Sequence, residues 1–273
     1  MKKAILCLAT AGLLAGMPVC LQGQVIPIDD FDHMNPALPG WTLADLSAGQ
    51  PWGPGDYDPS SGALRVYHSG SELVPPGTPF ATTAMFGLWN ASTDPLYSNG
   101  YLRAKIRTDE QQNSTSILLR ADLATVTGYL LFGFAKPPGQ MPELDGMFFM
   151  SKFVNGVETN IWLSGIEYLP GEDWNVELGA IGPRITGKVW KMGEMEPALP
   201  QFDWIDPDPI LSGMLGFSSD KALGNTIPAR ADATFDDFVF FAVPEPATVL
   251  LLLVGFAFAC MRGPMSHRNQ QSL

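Results

Sequence analysis

The chain contains few of the residues on which disulfide-stabilised and metal-based folds depend. All three of its cysteines lie near the two ends of the sequence, at Cys7, Cys20 and Cys260, so residues 24–242 contain none. Disulfides, thiolate zinc sites and cysteine nucleophiles are therefore excluded from that region. Its only histidines are His33 and His68, which leaves little material for a histidine metal site or a serine triad. We expect stability to come from a hydrophobic core.

Basic residues are also scarce. Four of the 16 Lys and Arg residues and one of the 28 Asp and Glu residues lie outside residues 24–242, which leaves 12 basic against 27 acidic residues and a net charge of −15. Nucleic acids and anionic lipids bind clustered Lys and Arg side chains, which this region lacks. The composition therefore predicts no nucleic-acid partner and a surface that tolerates cations.

The third feature that is missing is helical periodicity. Gly and Pro interrupt residues 24–242 at short intervals, and no window of 12 or more residues repeats its apolar positions with a period of 3.6. Segments rich in β-branched and aromatic residues predict strands, at 63–67, 100–108, 115–121, 128–134, 146–154, 157–164, 174–181, 184–192, 213–218 and 231–241.

Local patterns indicate how these strands are arranged. Residues 101–107 alternate, with Arg103, Lys105 and Arg107 on one face. Asn155-Gly156 between two strand-like segments is a strong hairpin signal, and Gly182-Pro183 predicts a second turn. Short connections of this kind join antiparallel neighbours, so we predict an all-β domain built as a two-sheet antiparallel β-sandwich.

The first 23 residues have the pattern of a secretory signal peptide. Lys2 and Lys3 precede an apolar stretch of about 12 residues, which is followed by small and turn-prone residues up to Gln24. The apolar stretch is too short for a comfortable membrane span. We therefore predict export, with cleavage after Gly23 and a mature domain at 24–242.

The C-terminal segment, residues 243–273, combines a short motif, an apolar run and basic residues. Val243-Pro244-Glu245-Pro246 is kept extended by its prolines. The run at 247–261 would span roughly 22 Å as a helix, short of a bilayer core of about 30 Å. The basic residues that follow it favour retention of the tail on the cytoplasmic side, and they are Arg262 and Arg268.

This segment resembles the PEP-CTERM sorting signal, which exosortase-type transpeptidases process in Gram-negative exopolysaccharide producers. The resemblance implies an exosortase-type partner and a transient stay of residues 247–261 in the inner membrane. It also implies a final location at the cell surface or in the extracellular matrix. An ordinary C-terminal membrane anchor is the alternative.

Three groups of residues within 25–242 stand in an order typical of one kind of β-sandwich. Asp29 to Asp32 with Gly40-Trp41 open the domain, and Trp174 to Trp190 form a tryptophan-flanked hairpin. Gly213 to Phe217 and then Ala233 to Val239 form a final strand pair. This order resembles concanavalin A-like or laminin G-like jelly rolls, which implies that the last strand returns beside the first.

Such a return would bring acidic residues from both ends of the domain together. Calcium takes six to eight oxygen ligands, so the cluster predicts a structural calcium site formed by Asp29, Asp30, Asp32, Asp236 and Asp237. Strand alternation places Asp236 and Asp237 on opposite faces. A second candidate is Asp206 with Asp208, in the acidic, proline-rich stretch 192–209 that we expect to be a loop. Solvated acids at strand ends are the alternative.

Aromatic side chains in loops are the candidate sugar-binding residues, because jelly rolls stack aromatic rings on sugar faces. Trp41, Trp174 and Trp190 fit core positions of the resemblance. Outside those positions, the residues that we predict to lie in loops and to bind ligand are Trp52, Trp89, Asn90 and Tyr97.

Catalytic residues are not predicted. Jelly-roll β-glucanases carry two glutamates in a Glu-x-Asp-x-x-Glu strand, and Glu143-Leu144-Asp145 matches its first half, but Phe148 replaces the second glutamate. The leading hypothesis is therefore a surface-displayed, non-enzymatic β-sandwich that binds extracellular polysaccharide or is a structural part of the matrix. The alternatives are a glycan-active hydrolase and a protein-adhesion module.

Overall fold

A computed structural model describes residues 24–45, 55–68, 82–109, 113–135, 146–222 and 232–244. The predicted signal peptide, Trp52, Glu143, Asp145 and the segment from Glu245 onward, with its apolar run and both arginines, lie outside these residues. Among the described residues there is no helix with the length and apolar character needed to cross a membrane.

The described strands form two antiparallel sheets, as the sequence predicts. The first sheet has the strand order β13 (Phe202–Ile205), β12 (Arg184–Lys191), β11 (Trp174–Ile181), β6 (Gly100–Thr108), β15 (Asp232–Ala242), β4 (Leu64–His68) and β3 (Gly55–Asp58), and β1 (Gln24–Asp29) also pairs with β15. The second has the order β10 (Val157–Glu167), β9 (Met147–Val154), β8 (Thr127–Ala135), β7 (Asn113–Asp122), β14 (Met214–Ala222), β5 (Thr82–Trp89) and β2 (Trp41–Asp45). The pairing of β1 with β15 confirms that the first and last strands meet.

The core lies between the two sheets and follows from strand alternation. In β6, Leu102, Ala104 and Ile106 are buried, whereas the basic residues between them are half-buried on the outer face. Trp41 and Trp174 belong to the same core cluster, together with a group of phenylalanines whose rings are tilted against one another. The predicted core positions of Trp41 and Trp174 are confirmed, whereas Trp190 is buried outside this cluster, beneath the guanidinium of Arg103.

Turn residues fix how neighbouring strands connect. Asn155 and Gly156 join β9 to β10 and both have positive φ angles, 50° and 77°. Two consecutive positive φ values define the hairpin turn whose twist matches that of the strands. Gly182 (φ 54°) likewise joins β11 to β12. Both predicted turns are confirmed.

Five described strands were not among the predicted ones: β1, β2, β3, β5 and β13. Four of them have six residues or fewer, too few for a convincing alternation of polar and apolar residues. The stretch 192–209 is therefore not wholly a loop, because β13 lies within it and pairs with β12.

One arginine joins the end of the second sheet to three separate segments. Arg120 lies at an irregular position of β7 with φ 53°, and it is 2% exposed. Its guanidinium donates to the carbonyl oxygens of Ser98 (2.8 Å), Gly182 (2.8 Å) and Ile210 (2.6 Å). Burial lowers the pKa of Arg120, and these carbonyl contacts replace the water that the buried cation has lost.

Candidate functional site

A cleft beside the paired first and last strands contains most of the predicted acids. Asp29, Asp30 and Asp237 line this cleft together with Trp89 and His33, and its volume is about 440 Å³. The structure therefore brings residues predicted to bind calcium and a residue predicted to bind sugar into one place.

Asp29 is fully engaged by donors of the protein itself. Its carboxylate accepts hydrogen bonds from the backbone N–H of Phe31 (2.8 Å) and from the indole Nε1 of Trp41 (2.8 Å). His33 Nε2 lies 3.2 Å from Asp29 Oδ1, the oxygen that also accepts from Phe31. These contacts hold the turn after β1 against the core tryptophan, so Asp29 has a structural role.

The expectation that Asp236 and Asp237 point to opposite faces is wrong. A bulge in β15 shifts the register with β6 between Asp236 and Val239, and Asp237 has a positive φ of 51°. Because the bulge adds a residue, both carboxylates turn toward Lys105 Nζ, which lies 3.6 Å from Asp236 and also contacts Asp237. A lysine ammonium thus stands where a cation would have been expected.

The described contacts of the predicted acids are with groups of the protein itself, and the calcium site stays a prediction. Calcium needs six to eight oxygen ligands, and no group of three or more potential ligand residues converges in the described part of the chain. The second candidate, Asp206, is 2% exposed and pairs with Lys152 Nζ at 2.8 Å. Its carboxylate also accepts from Tyr129 and from the backbone N–H of Asp208.

Three of the predicted sugar-binding residues are described, and each contacts other residues of the protein. Trp89 is the last residue of β5, contrary to the predicted loop, and its ring packs on Trp41 at 5.3 Å. Asn90 Oδ1 accepts from Thr42 Oγ1 at 2.5 Å. Tyr97, in a single 3₁₀ turn at Pro95–Tyr97, packs against Phe240 in the core at 5.3 Å.

A second concave site lies on the outer face of the second sheet, and the sequence did not predict it. This groove has a volume of about 290 Å³. Its apolar lining includes Phe86, Leu118, Leu130 and Phe153. Its polar lining includes Ser218, Asp220 and Glu158.

Ser218 lines the groove, and the hydroxyls of Ser218 and of its cross-strand neighbour Ser116 have no hydrogen-bond partner in the described part of the chain. Ser116 on β7 and Ser218 on β14 are directly opposite each other in the strand register. They are 1% and 0% exposed, and neither Oγ is hydrogen-bonded. A buried hydroxyl without a partner costs free energy, so native structures rarely leave one unpaired. The pair therefore marks a place where a polar ligand would restore lost hydrogen bonds.

Three carboxylates line the groove, and each accepts a hydrogen bond from a hydroxyl group, Asp122 from Thr125 Oγ1 at 2.9 Å. Asp220 accepts from Ser114 Oγ at 2.8 Å. Glu158 accepts from Ser151 Oγ at 2.8 Å, and the same hydroxyl lies 2.7 Å from Asn160 Oδ1. Burial, with a smaller contribution from the charge of Glu158, raises the pKa of Asp220 to about 6 although the Ser114 hydroxyl acts in the opposite direction.

A signal for the groove was present in the sequence. Ser114 and Ser116 are spaced two residues apart, as are Ser218 and Asp220, so each pair shares one face of its strand. Only the pairing of β14 with β7 shows that these two faces are the same surface.

The fold that carries these two sites is an all-β, two-sheet jelly-roll sandwich. Solved structures similar to it include the CBM2 module of the evolved Dit of Lactobacillus casei BL23 phage J-1 (TM-score 0.50, 11% identity, 82% of this chain and 99% of that one). The VIP36 exoplasmic/lumenal domain in its Ca²⁺/Man2-bound form is similar at TM-score 0.50 and 11% identity, over 80% of this chain and 88% of that one. A β-1,3-1,4-glucanase (lichenase) from a mouse hindgut metagenome is similar at TM-score 0.50 and 10% identity, over 80% and 99%.

At this level of identity the similarity establishes the fold. No protein-family model matches the chain, and no curated protein matches it.

Proposed function

We propose that the protein binds carbohydrate in the groove on the outer face of the second sheet. The observation that carries this proposal is the pair of buried, unpartnered hydroxyls at Ser116 and Ser218. A sugar presents hydroxyl groups that both donate and accept, so it can satisfy the serines and the neighbouring carboxylates together.

The apolar lining suits the other surface of a sugar. Phe86 and Phe153 lie in the groove with the polar groups. Phe132 and Phe149 stack on each other at 5.0 Å on neighbouring strands. Sugar rings have apolar C–H faces that pack against aromatic side chains. A few polar groups set against apolar walls are the usual composition of a small-molecule site.

We favour carbohydrate binding without catalysis by the β-glucanase motif, in which both catalytic glutamates lie on one strand. Phe148, which stands where that motif has its second glutamate, points into the core and is fully buried. Its ring packs against Tyr168 and Trp174, each at 4.9 Å. A carboxylate at this position would face the core and not the groove.

The sequence signals extend the proposal to the location of the protein. We propose export through the signal peptide at 1–23 and sorting through Val243-Pro244-Glu245-Pro246 by an exosortase-type enzyme. The protein would then be displayed at the cell surface or in the extracellular matrix, where polysaccharide is the available ligand. Mass spectrometry of the mature C-terminus tests the sorting step, and an end at Leu273 on the surface-displayed protein would contradict it.

Filling the groove tests the binding site. Ser218→Leu places an apolar side chain in the groove, and Thr234→Leu makes the same kind of change on the outer face of the first sheet, on β15. The full chain is run in affinity electrophoresis through gels that contain neutral, anionic or cationic polysaccharide. We expect retardation by at least one class, loss of that retardation in Ser218→Leu, and wild-type behaviour in Thr234→Leu. A wild-type protein that no polysaccharide retards would overturn the proposal.

A further inference from the structure

Several carboxylates elsewhere in the described sandwich are paired with basic side chains, and others, such as Asp30 and Asp94, are exposed to solvent and accept hydrogen bonds from backbone N–H groups. The closest pairs join Arg65 to Asp232 (2.6 Å), Arg184 to Asp203 (2.6 Å), Lys188 to Glu196 (2.7 Å) and Lys152 to Asp206 (2.8 Å). Arg103, Lys105, Arg107 and Lys191 also contact carboxylates. A domain with 12 basic and 27 acidic residues thus uses these cations away from the groove.

Asp220 and Glu158 differ from those carboxylates. In the part of the chain that the structure describes, their hydrogen bonds come from Ser114 and Ser151, and no ion pair involves either acid. Asp220 is partly buried, whereas Glu158 is exposed. A partly buried carboxylate without a compensating cation is unfavourable, because hydroxyl donors replace only part of its lost hydration, so this cost falls on Asp220. The groove therefore has negative charge that the described protein leaves uncompensated.

We infer that the groove takes a polysaccharide whose sugars carry protonated amino groups, with Asp220 and Glu158 as their anionic partners. This inference rests on the proposed carbohydrate-binding function and names its ligand class. An amino sugar supplies both things that the groove lacks: hydroxyls for Ser116 and Ser218, and an ammonium group for the carboxylates. Hydrogen bonds between ammonium and carboxylate groups are about twice as strong as those between neutral groups.

The other two charge classes of polysaccharide fit less well. A uronic acid polymer would bring its carboxylates toward Asp220 and Glu158, and like charges at short range repel. A neutral or N-acetylated sugar would satisfy the serine hydroxyls but would leave both carboxylates without a cation. The inference thus predicts that affinity decreases from cationic to neutral to anionic polysaccharide.

A polycation could also bind this protein without using the groove. The predicted domain has a net charge of −15, and a field of that sign attracts any long cationic chain. Short oligosaccharides at physiological ionic strength limit this effect, because the screening length there is about 8 Å. A control variant with the same change in net charge then separates the groove from the general field.

The experiment is calorimetric titration of the full chain with glucosamine oligomers, with N-acetylglucosamine oligomers of the same length, and with uronate oligomers. Asp220→Asn and Glu158→Gln each remove one groove charge, and Glu194→Gln removes one exposed charge in the turn after β12. We expect the free amines to bind about tenfold more tightly than the acetylated oligomers, with each groove variant losing about tenfold of that affinity. The Glu194→Gln variant should stay within about twofold of wild type.

The possible failures are distinguishable. Equal affinity for free and acetylated amines would overturn the inference and leave carbohydrate binding in place. Unchanged amine affinity in both groove variants would also overturn it, because binding would then come from the general field. If no oligomer binds, the proposed function itself falls. Thermal unfolding of each variant shows that the fold is retained, and Glu158→Gln is an exposed change that the fold should tolerate.

The pH dependence gives a second readout. Amine binding requires an ionised Asp220, whose pKa of about 6 lies well above that of an ordinary aspartate. Affinity should therefore rise as the pH increases through about 6 and fall again where the amine loses its proton. Asp220→Asn should flatten the rise on the acid side. An affinity whose pH profile is the same in wild type and in Asp220→Asn would contradict the assignment of Asp220.

Discussion

The charged side chains on the outer faces of the two sheets differ in the partners that they contact. On the first sheet, Arg103 lies between Glu177 and Glu196 and covers the ring of Trp190 at 5.0 Å. On the second sheet, Asp220 and Glu158 have only hydroxyl partners among the described residues, and the hydroxyls of Ser116 and Ser218 have none. On the first sheet these charged groups are paired with one another, so a ligand would have to break their ion pairs. The second face leaves polar groups for a ligand to complete, which is why we place binding there.

Removing a carboxylate from the outer face of the first sheet should have the largest effect on the free energy of unfolding. Glu177 is 8% exposed and contacts both Arg103 and Lys188. We expect Glu177→Ala to lower the free energy of unfolding by about 2 kcal/mol, because it leaves two partly buried cations without that carboxylate. Urea unfolding measures the loss, and glycan binding should not change. A loss of binding with unchanged stability would break the contrast between the two faces.

Removing a charge from the groove should have the opposite effect and raise the free energy of unfolding. The pKa of Asp220 is raised on folding from 3.8 to about 6, so the folded state binds this proton more tightly than the unfolded state. The stability from that proton is complete below about pH 4 and is lost as the pH rises through about 6.

We therefore expect Asp220→Asn to be more stable than wild type above about pH 6, by about 1 kcal/mol after allowing for partial solvent exposure. The difference should shrink as the pH falls toward 4, and urea unfolding across this range measures it. An Asp220→Asn variant that is less stable than wild type at neutral pH would show that the protein compensates this charge.

Calcium should have the smallest effect on stability. Its effect on variants distinguishes the acidic cluster beside β1 from the groove. Because no three potential ligand side chains converge among the described residues, we expect about 1 mM Ca²⁺ to shift the Tm by less than about 1 °C relative to EDTA. A larger shift that Asp29→Asn abolishes would restore the predicted calcium site beside β1. A larger shift that Asp220→Asn abolishes would show that the cation missing from the groove is a metal ion.

The sequence predicts the structure correctly where the pattern within a single strand or turn is sufficient. The alternation of β6 and the Asn155-Gly156 turn are local patterns, and both predicted the structure correctly. The orientation of Asp236 and Asp237 could not be predicted, because one bulge reverses the alternation on which the expectation depended. The groove is a non-local property. Ser116 and Ser218 are 102 positions apart in the sequence and become neighbours only because β7 pairs with β14.

Arg120 has a consequence for how the sandwich comes apart. Its three carbonyl partners lie 22, 62 and 90 positions away along the chain. A guanidinium cannot leave water until such partners are in place, so all three segments must dock before the cation is desolvated. We expect this step to come late in folding, because closing loops of that length precedes any gain from the contacts. Both sheets should consequently unfold in a single cooperative transition, since neither can detach while the cation remains buried.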